Sequence, residues 1–166
     1  MSSPPSPIAE RVRALLAAKE ASHADGEPRP HEAAPDVFLS VLVEAAFLVA
    51  DADGVVSVPE RQTLAETIAH VLGGELPPEE LVAMIDAFAG TLAAEGRDRR
   101  LSAMAHALPD PPARRATVAF AALIALCDRE LVSEEREVLD LIGATFGLDQ
   151  GIVREILNEV ADGLTG

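Results

Sequence analysis

Tryptophan and tyrosine are absent from this chain of 166 residues, and phenylalanine occurs only five times. Proteins stack the bases of single-stranded nucleic acid on aromatic side chains, so that mode of binding is excluded. Basic residues are also scarce, because 13 Lys and Arg stand against 28 Asp and Glu, for a formal net charge of −15. Binding to a phosphate backbone needs clustered cations. The composition therefore argues against DNA or RNA as a partner.

Cysteine and long apolar runs are scarce as well. The single cysteine, Cys127, cannot form an internal disulfide or a paired zinc–cysteine motif, and the N-terminal residues lack the pattern of a secretory signal. The longest strongly apolar run, 116–127, is far shorter than the ~20 residues that cross a bilayer. We expect a cytoplasmic protein that does not insert into a membrane. The apolar run then forms a buried central helix, with Cys127 as a buried structural thiol.

The apolar residues that are present recur at helical spacing, and no stretch alternates with a period of two. Residues 1–35 predict a disordered start, a short amphipathic helix and a Pro-rich linker, with the helix only loosely attached. Residues 36–163 predict the folded domain. The fold class is all-α, a compact bundle of about seven helices plus the N-terminal one.

Capping residues and prolines predict where the helices begin and end. The expected N-caps are Asp36, Ser57, Ser133 and Asp149. Glu60 follows Ser57 at the spacing of a capping box. The prolines between 109 and 112 predict a break before a helix that begins at Arg114. The apolar stripe expected for the third long helix is Leu81, Met84, Ile85, Phe88 and Leu92.

The pattern of residues 50–64 is echoed in residues 125–139. In each copy an apolar helix runs into an acidic turn, and a Glu-Arg pair then opens an amphipathic helix. Matching pairs 75 positions apart are Asp53 and Asp128, Glu60 and Glu135, and Leu64 and Leu139. The chain is interpreted as a duplicated helical hairpin, a fold of two halves that can bring the carboxylates of both turns near one axis.

The acidic turns predict a site for a divalent cation, since Ca²⁺ and Mg²⁺ prefer oxygen ligands. The candidate ligands are Asp51, Asp53, Glu60, Asp128 and Glu135. An EF-hand loop with Gly54 at its sixth position fails at its first position, where Val49 stands, and the second copy has Arg129 in place of the glycine. The same acidic residues suit helix capping and compensation of the helix dipole, or contact with a partner. Arg129 could also neutralise a carboxylate, so these interpretations stay open.

The repeated pattern resembles the TerB (tellurite-resistance protein B) superfamily over roughly residues 36–163. In the first copy it consists of an apolar helix, Ala52-Asp53-Gly54, a hydrophobic residue, Ser57, Glu60-Arg61 and Leu64. The resemblance implies a helical fold of two related halves, a divalent-cation site on the acidic turns, and non-enzymatic work as an adaptor in bacterial stress systems. The motif residues carried over are Asp51, Asp53 and Glu60 in the first copy and Asp128 and Glu135 in the second.

The function that we expect is a protein-interaction adaptor that binds Ca²⁺ or another divalent cation, with a partner in a membrane-associated stress-response complex. An alternative is a metal-free acidic helical module whose negative charge steers it to a basic protein. A further alternative is a metal-dependent hydrolase that activates water at the acidic turn. No His or Cys pair has the spacing of metal ligands, and nothing in the sequence requires an enzyme.

Overall fold

A computed structural model describes residues 6–24, 33–54, 56–127 and 131–165. Within these ranges the chain forms eight α-helices and no strand, so the predicted all-α fold is confirmed. The helices are α1 (Pro7–Ala24), α2 (Pro35–Ala50), α3 (Val58–Val71), α4 (Pro78–Glu95), α5 (Arg97–Ala107), α6 (Pro111–Leu126), α7 (Ser133–Thr145) and α8 (Gln150–Thr165). The expected disordered start, most of the Pro-rich linker and turn residues 128–130 lie outside the described residues.

Prolines begin helices at two places where the sequence predicts something else. Helix α2 begins at Pro35, so Asp36 lies in its first turn and is not the N-cap. Helix α6 begins at Pro111, three residues before the expected Arg114, and the expected break between α5 and α6 is confirmed at residues 108–110. At the first position of a helix the missing N–H of proline costs nothing, and its fixed φ already suits the helix.

Two of the other expected N-caps are confirmed. The Oγ of Ser57 accepts from the backbone N–H of Glu60 at 3.3 Å, and Glu60 Oε1 accepts from the N–H of Ser57 at 3.3 Å, which completes a capping box. Asp149 Oδ1 accepts from the N–H of Ile152 at 2.9 Å. Ser133, by contrast, is the first residue inside α7, after an N-cap residue, Val132, that has no side-chain acceptor.

Two long helices, one from each half, form the centre of the molecule. Helix α2 buries every residue from 41 to 49, and α6 buries every residue from 116 to 124. These two helices pack against each other more extensively than any other described pair. Helices α3 and α4 pack together on the first half, as α7 and α8 do on the second. The bundle therefore has α2–α4 and α6–α8 as its two halves, with their apolar helices paired at the core.

Helix α1 belongs to the same core, which differs from the loose attachment expected from the sequence. Ile8 and Val12 are each only 1% exposed. Lys19 is buried further along the same helix, where its Nζ lies 2.9 Å from Asp110 Oδ2 and donates to the backbone oxygen of Ala33 at 2.9 Å. Because this pairing joins residues far apart along the chain, local periodicity cannot indicate it.

The expected burial of Cys127 is wrong, whereas the apolar stripe expected on α4 packs on the core. Cys127 is exposed just after the end of α6, because the central helix stops one residue earlier, at Leu126. On α4, only Leu81 and Ile85 are fully buried, whereas the rest of the expected stripe is half-buried. The half-buried members are Met84, Phe88 and Leu92. The second half of α4 is therefore less completely covered than a core helix.

Candidate functional site

A pocket of about 340 Å³ lies where the two repeated corners meet. Three pairs of residues 75 positions apart line it, namely Val49 and Ile124, Ala50 and Ala125, and Glu60 and Glu135. The other lining residues are Ala46, Val56, Pro59, Thr63, Leu64 and Thr67. The corners that the repeat predicts thus converge on one cavity, which has mostly apolar walls and two carboxylates.

The pocket exists because α3 and α7 differ at matching positions. Thr63 and Thr67 of α3 line the pocket, whereas their counterparts on α7, Val138 and Ile142, are buried in the core. The hydroxyl of Thr67 donates to the backbone oxygen of Thr63 at 3.0 Å within the same helix. Helix α7 packs against both central helices, while α3 packs chiefly on α4. The smaller, more polar face of α3 therefore leaves space that the matching face of α7 fills.

Glu135 places a carboxylate among the apolar walls. Its side chain is one of the few buried charges of the molecule, with 2% exposure. Glu135 Oε1 accepts a hydrogen bond from the backbone N–H of Val132 at 3.3 Å, at the N-terminus of α7. A buried carboxylate is costly unless it is hydrogen-bonded, and the positive end of a helix dipole further favours its charge. The N-terminus of α7 therefore holds negative charge at a buried part of the pocket wall.

Glu60 supplies the matching carboxylate from α3, but it is exposed. Glu60 is the third residue of α3, and its capping-box hydrogen bonds with Ser57 fix its backbone at the start of the helix. The pocket consequently carries negative charge at one exposed and one buried position. The convergence of these two residues follows from the pairing of the repeats, which the sequence predicts.

Asp51 lies beside the pocket but does not line it. Burial raises the pKa of its half-buried carboxyl above the ordinary value, and the negative charge of Asp53 adds to that rise. Three influences oppose the rise in pKa, namely the charge of Arg97, a hydrogen bond with the backbone of Val56, and the charge of Arg61. The positive charges that act on Asp51 are thus those of arginine side chains.

Asp53 is exposed in the turn, next to Gly54, whose φ of 145° is one that glycine adopts more readily than other residues. The turn is anchored from α3, since Arg61 Nε donates to the backbone oxygen of Val56 at 3.1 Å. Arg61 Nη1 also donates to Asp86 Oδ1 on α4 at 3.0 Å. Sequence reasoning identified the Glu-Arg pair but missed this role of its arginine as a tie between turn and helix.

The proposed cation ligands are only partly gathered. Glu60 and Glu135 share the pocket, whereas Asp51 and Asp53 lie on the adjoining turn, and Asp128 lies outside the described residues. In the part of the chain that the structure describes, no group of three or more His, Cys, Asp or Glu could hold a metal ion. The cation site stays a prediction.

A second, smaller pocket of about 270 Å³ lies between α2 and α5, and sequence reasoning missed it. Glu44, buried in the apolar run of α2, accepts hydrogen bonds from Arg100 Nε at 2.7 Å and Nη2 at 2.9 Å. This hydrogen bonding raises the pKa of the Arg100 guanidinium. Glu44 is the one acid within the apolar run 37–50, and this was the available signal, because a buried carboxylate needs a partner. The pair ties α5 to the first half.

Comparison with known protein families matches residues 39–158 to the family described as Tellurite resistance protein TerB. Comparisons with curated proteins and with solved structures give no match. Among the helices described, none is both long enough and apolar enough to span a membrane. The family match covers well over half of the 166 residues, including both repeated corners and the helices that carry them. The chain therefore belongs to the TerB family.

Proposed function

We propose that this TerB-family chain is a non-enzymatic interaction domain, which binds a partner protein through the pocket between its repeated corners. The observation that carries the proposal is the convergence of Glu60 and Glu135 on one cavity with apolar walls. A concave, mostly apolar pocket with a few placed polar groups is the usual form of a small-molecule site, and pockets of this kind also receive the anchor side chains of partner proteins. Both copies of the repeat contribute to this cavity, which supports a role for the corners in recognition.

The charge of the chain and the surface beside the pocket support a basic protein as the partner. The formal net charge is −15, which steers basic proteins toward the chain and raises their rate of association. Val58, next to the pocket residue Pro59, is 74% exposed and offers apolar contact outside the cavity. A partner in a membrane-associated stress-response complex agrees with the adaptor role that the family resemblance implies.

A photo-crosslinking experiment tests this function in the cells that produce the protein. A photoreactive residue replaces Val58, and a control chain carries it at Leu164, an exposed residue of α8 outside the pocket. We expect a discrete crosslinked species from position 58 that is weakened when Thr67→Ile narrows the pocket. Crosslinks that are equal at both positions, or that are unchanged in Thr67→Ile, would contradict the proposal.

A divalent cation is the second candidate ligand of this region, and Ca²⁺ is the first to test. It is favoured by Glu60 and Glu135, which both line the pocket, and by Asp51 and Asp53 on the adjoining turn. Calcium takes carboxylate and backbone oxygens, and bound metal would stabilise the native fold by about 2.7 kcal/mol at one hundred times Kd. A melting temperature that does not change in millimolar Ca²⁺ would remove this candidate and leave the partner site intact.

A further inference from the structure

We propose that the pocket between the repeated corners receives one branched aliphatic side chain of the partner protein, such as isoleucine. This side chain supplies beside α3 the hydrocarbon that α7 supplies from within the chain in the other half. The inference rests on the proposed function, because it names the group by which the partner is recognised.

The second half of the bundle shows which side chains complete such a corner. Val138 and Ile142 of α7 are buried in the core. Their counterparts on α3 are Thr63 and Thr67, which line the pocket. Each threonine carries a hydroxyl where its counterpart carries a carbon, and Thr67 also lacks the terminal methyl group of isoleucine. The first half therefore lacks branched hydrocarbon at the position where the second half has it.

The size of the cavity favours a single side chain. Its volume of about 340 Å³ lies at the lower end of the ~300–1,000 Å³ typical of ligand pockets. The space is larger than the difference between the side chains alone, because α3 packs chiefly on α4 whereas α7 packs against both central helices. A partner helix, at roughly 10 Å across with its side chains, stays outside, and one side chain that it presents can enter.

The walls of the pocket suit an apolar group, and its acids do not require a charged one. Val49, Leu64 and Ile124 provide aliphatic surface, and covering such surface is favourable because it leaves contact with water. Glu60 Oε1 already accepts from the backbone N–H of Ser57, and Glu135 Oε1 accepts from that of Val132. Hydrogen bonds within the chain thus stabilise both charges, and the aliphatic walls decide which side chain enters.

Apolar surface continues outside the cavity at both corners. Val58, which is 74% exposed, precedes the pocket residue Pro59, and Val132, which is 36% exposed, is hydrogen-bonded through its N–H to the pocket residue Glu135. In protein interfaces an anchor side chain fills a pocket while the contacts around it exclude water. The two valines lie where such surrounding contacts are needed, so the surface fits an aliphatic anchor with apolar neighbours.

The test uses the full chain labelled with ¹⁵N, and N-acetyl-isoleucine amide as a probe that carries the proposed side chain. The matched probes are N-acetyl-alanine amide, with a shorter side chain, and N-acetyl-lysine amide, with a charged one. We expect the isoleucine probe to shift the amide signals of Val56, Thr63 and Ala125 in a saturable way. Its apparent Kd should lie about tenfold or more below that of the alanine probe, since its longer hydrocarbon chain removes more apolar surface from water.

Three variants locate the binding in the pocket. Thr67→Ile gives α3 the residue of α7 and narrows the cavity, and we expect it to raise the apparent Kd of the isoleucine probe about tenfold. Thr91→Ile makes the same change on α4 outside the pocket, at a half-buried threonine whose hydroxyl also donates to a backbone oxygen of its own helix, and we expect no change. Thr63→Val keeps the volume but makes the wall more apolar, and we expect tighter binding.

Several results would overturn the aliphatic assignment. Equal binding of the isoleucine and alanine probes would show that the pocket does not select hydrocarbon. Tighter binding of N-acetyl-lysine amide would make the site one for a charged side chain. Equal effects of Thr67→Ile and Thr91→Ile would place the binding elsewhere. None of these results changes the crosslink from position 58, so the aliphatic assignment can fail while the partner-binding function stands.

Discussion

The two repeated corners share a backbone motif, but they do different work in the molecule. On α7 the matching residues Glu135, Val138 and Ile142 are all buried and complete the core. On α3 their counterparts line a pocket, with Glu60 and Thr63 exposed and Thr67 half-buried. The two halves therefore have similar helical hairpins with different side chains at matching positions. Val138 and Ile142 of α7 complete the core, whereas Thr63 and Thr67 of α3 line the pocket.

The largest expected loss of stability comes from breaking the buried ion pair between Lys19 of α1 and Asp110. Asp110 precedes α6, in the half of the bundle whose corner is buried. Asp110→Ala removes the carboxylate that pairs with the buried ammonium of Lys19, and loss of one member of a buried ion pair costs about 3–5 kcal/mol. Chemical denaturation measures the change in free energy of unfolding. The matched control is Arg11→Ala, which breaks an exposed ion pair of the same helix with Glu159 on α8. That control should cost at most about 1 kcal/mol, and equal losses would contradict the account.

A reciprocal exchange at the matching pair Ile142 and Thr67 tests the difference between the corners itself. Ile142→Thr removes buried hydrocarbon and places a hydroxyl in the core, so we expect a loss of about 2–4 kcal/mol. Thr67→Ile adds hydrocarbon to the wall of an open pocket, and we expect a change within about 1 kcal/mol. Thermal and urea unfolding measure both. Equal losses would mean that α3 is packed as tightly as α7.

Replacing each of the matching glutamates by alanine should also lower the free energy of unfolding by different amounts at the two corners, with a smaller difference than for the exchange of Ile142 and Thr67. Glu135→Ala takes away a buried acceptor of the Val132 N–H, with an expected loss of about 1–3 kcal/mol. Glu60→Ala breaks an exposed capping box, with an expected loss of about 0.5–1 kcal/mol. Urea unfolding curves compare the two. A larger loss for Glu60→Ala would reverse the assignment of the buried and exposed corners.

The smallest expected effect concerns pH and the turn of the first corner. The pKa of Asp51 is raised in the folded state, chiefly by burial. The protonated carboxyl therefore contributes fully to the stability of the fold when the pH is below the ordinary aspartate pKa. This contribution is lost as the pH rises through the pKa of the folded state. Asp51→Asn should therefore be slightly more stable than the parent at neutral pH. The difference should vanish in acid, where both side chains are neutral. A growing advantage in acid would contradict the burial of Asp51.

Local signals account for the parts of the fold that the sequence predicted. Ser57 and Asp149 cap helices as expected because each side chain lies within reach of a nearby N–H. The pairing of Glu60 with Glu135 in one pocket follows from the repeat. Lys19 could not be placed by local pattern, since its partner Asp110 lies far along the chain.

The opening of the pocket was missed, although the signal was present in the sequence. When the two copies are aligned at their offset of 75 positions, Thr63 matches Val138 and Thr67 matches Ile142. Comparing the two copies for differences, as well as for likeness, indicates which helix leaves space. The depth at which Glu135 is buried could not be read in this way, because it depends on how α7 packs against α2 and α6 together.

A double-mutant cycle on Glu60→Gln and Glu135→Gln tests the central claim most directly, which is that the two corners act on one pocket. Urea unfolding gives the free energy of each single variant and of the double variant, at low and at high salt. We predict that the double change differs from the sum of the single changes by at least about 0.5 kcal/mol, and that the difference shrinks in high salt. Additivity within about 0.3 kcal/mol at low salt would show that the two carboxylates do not share a site, and would contradict the account.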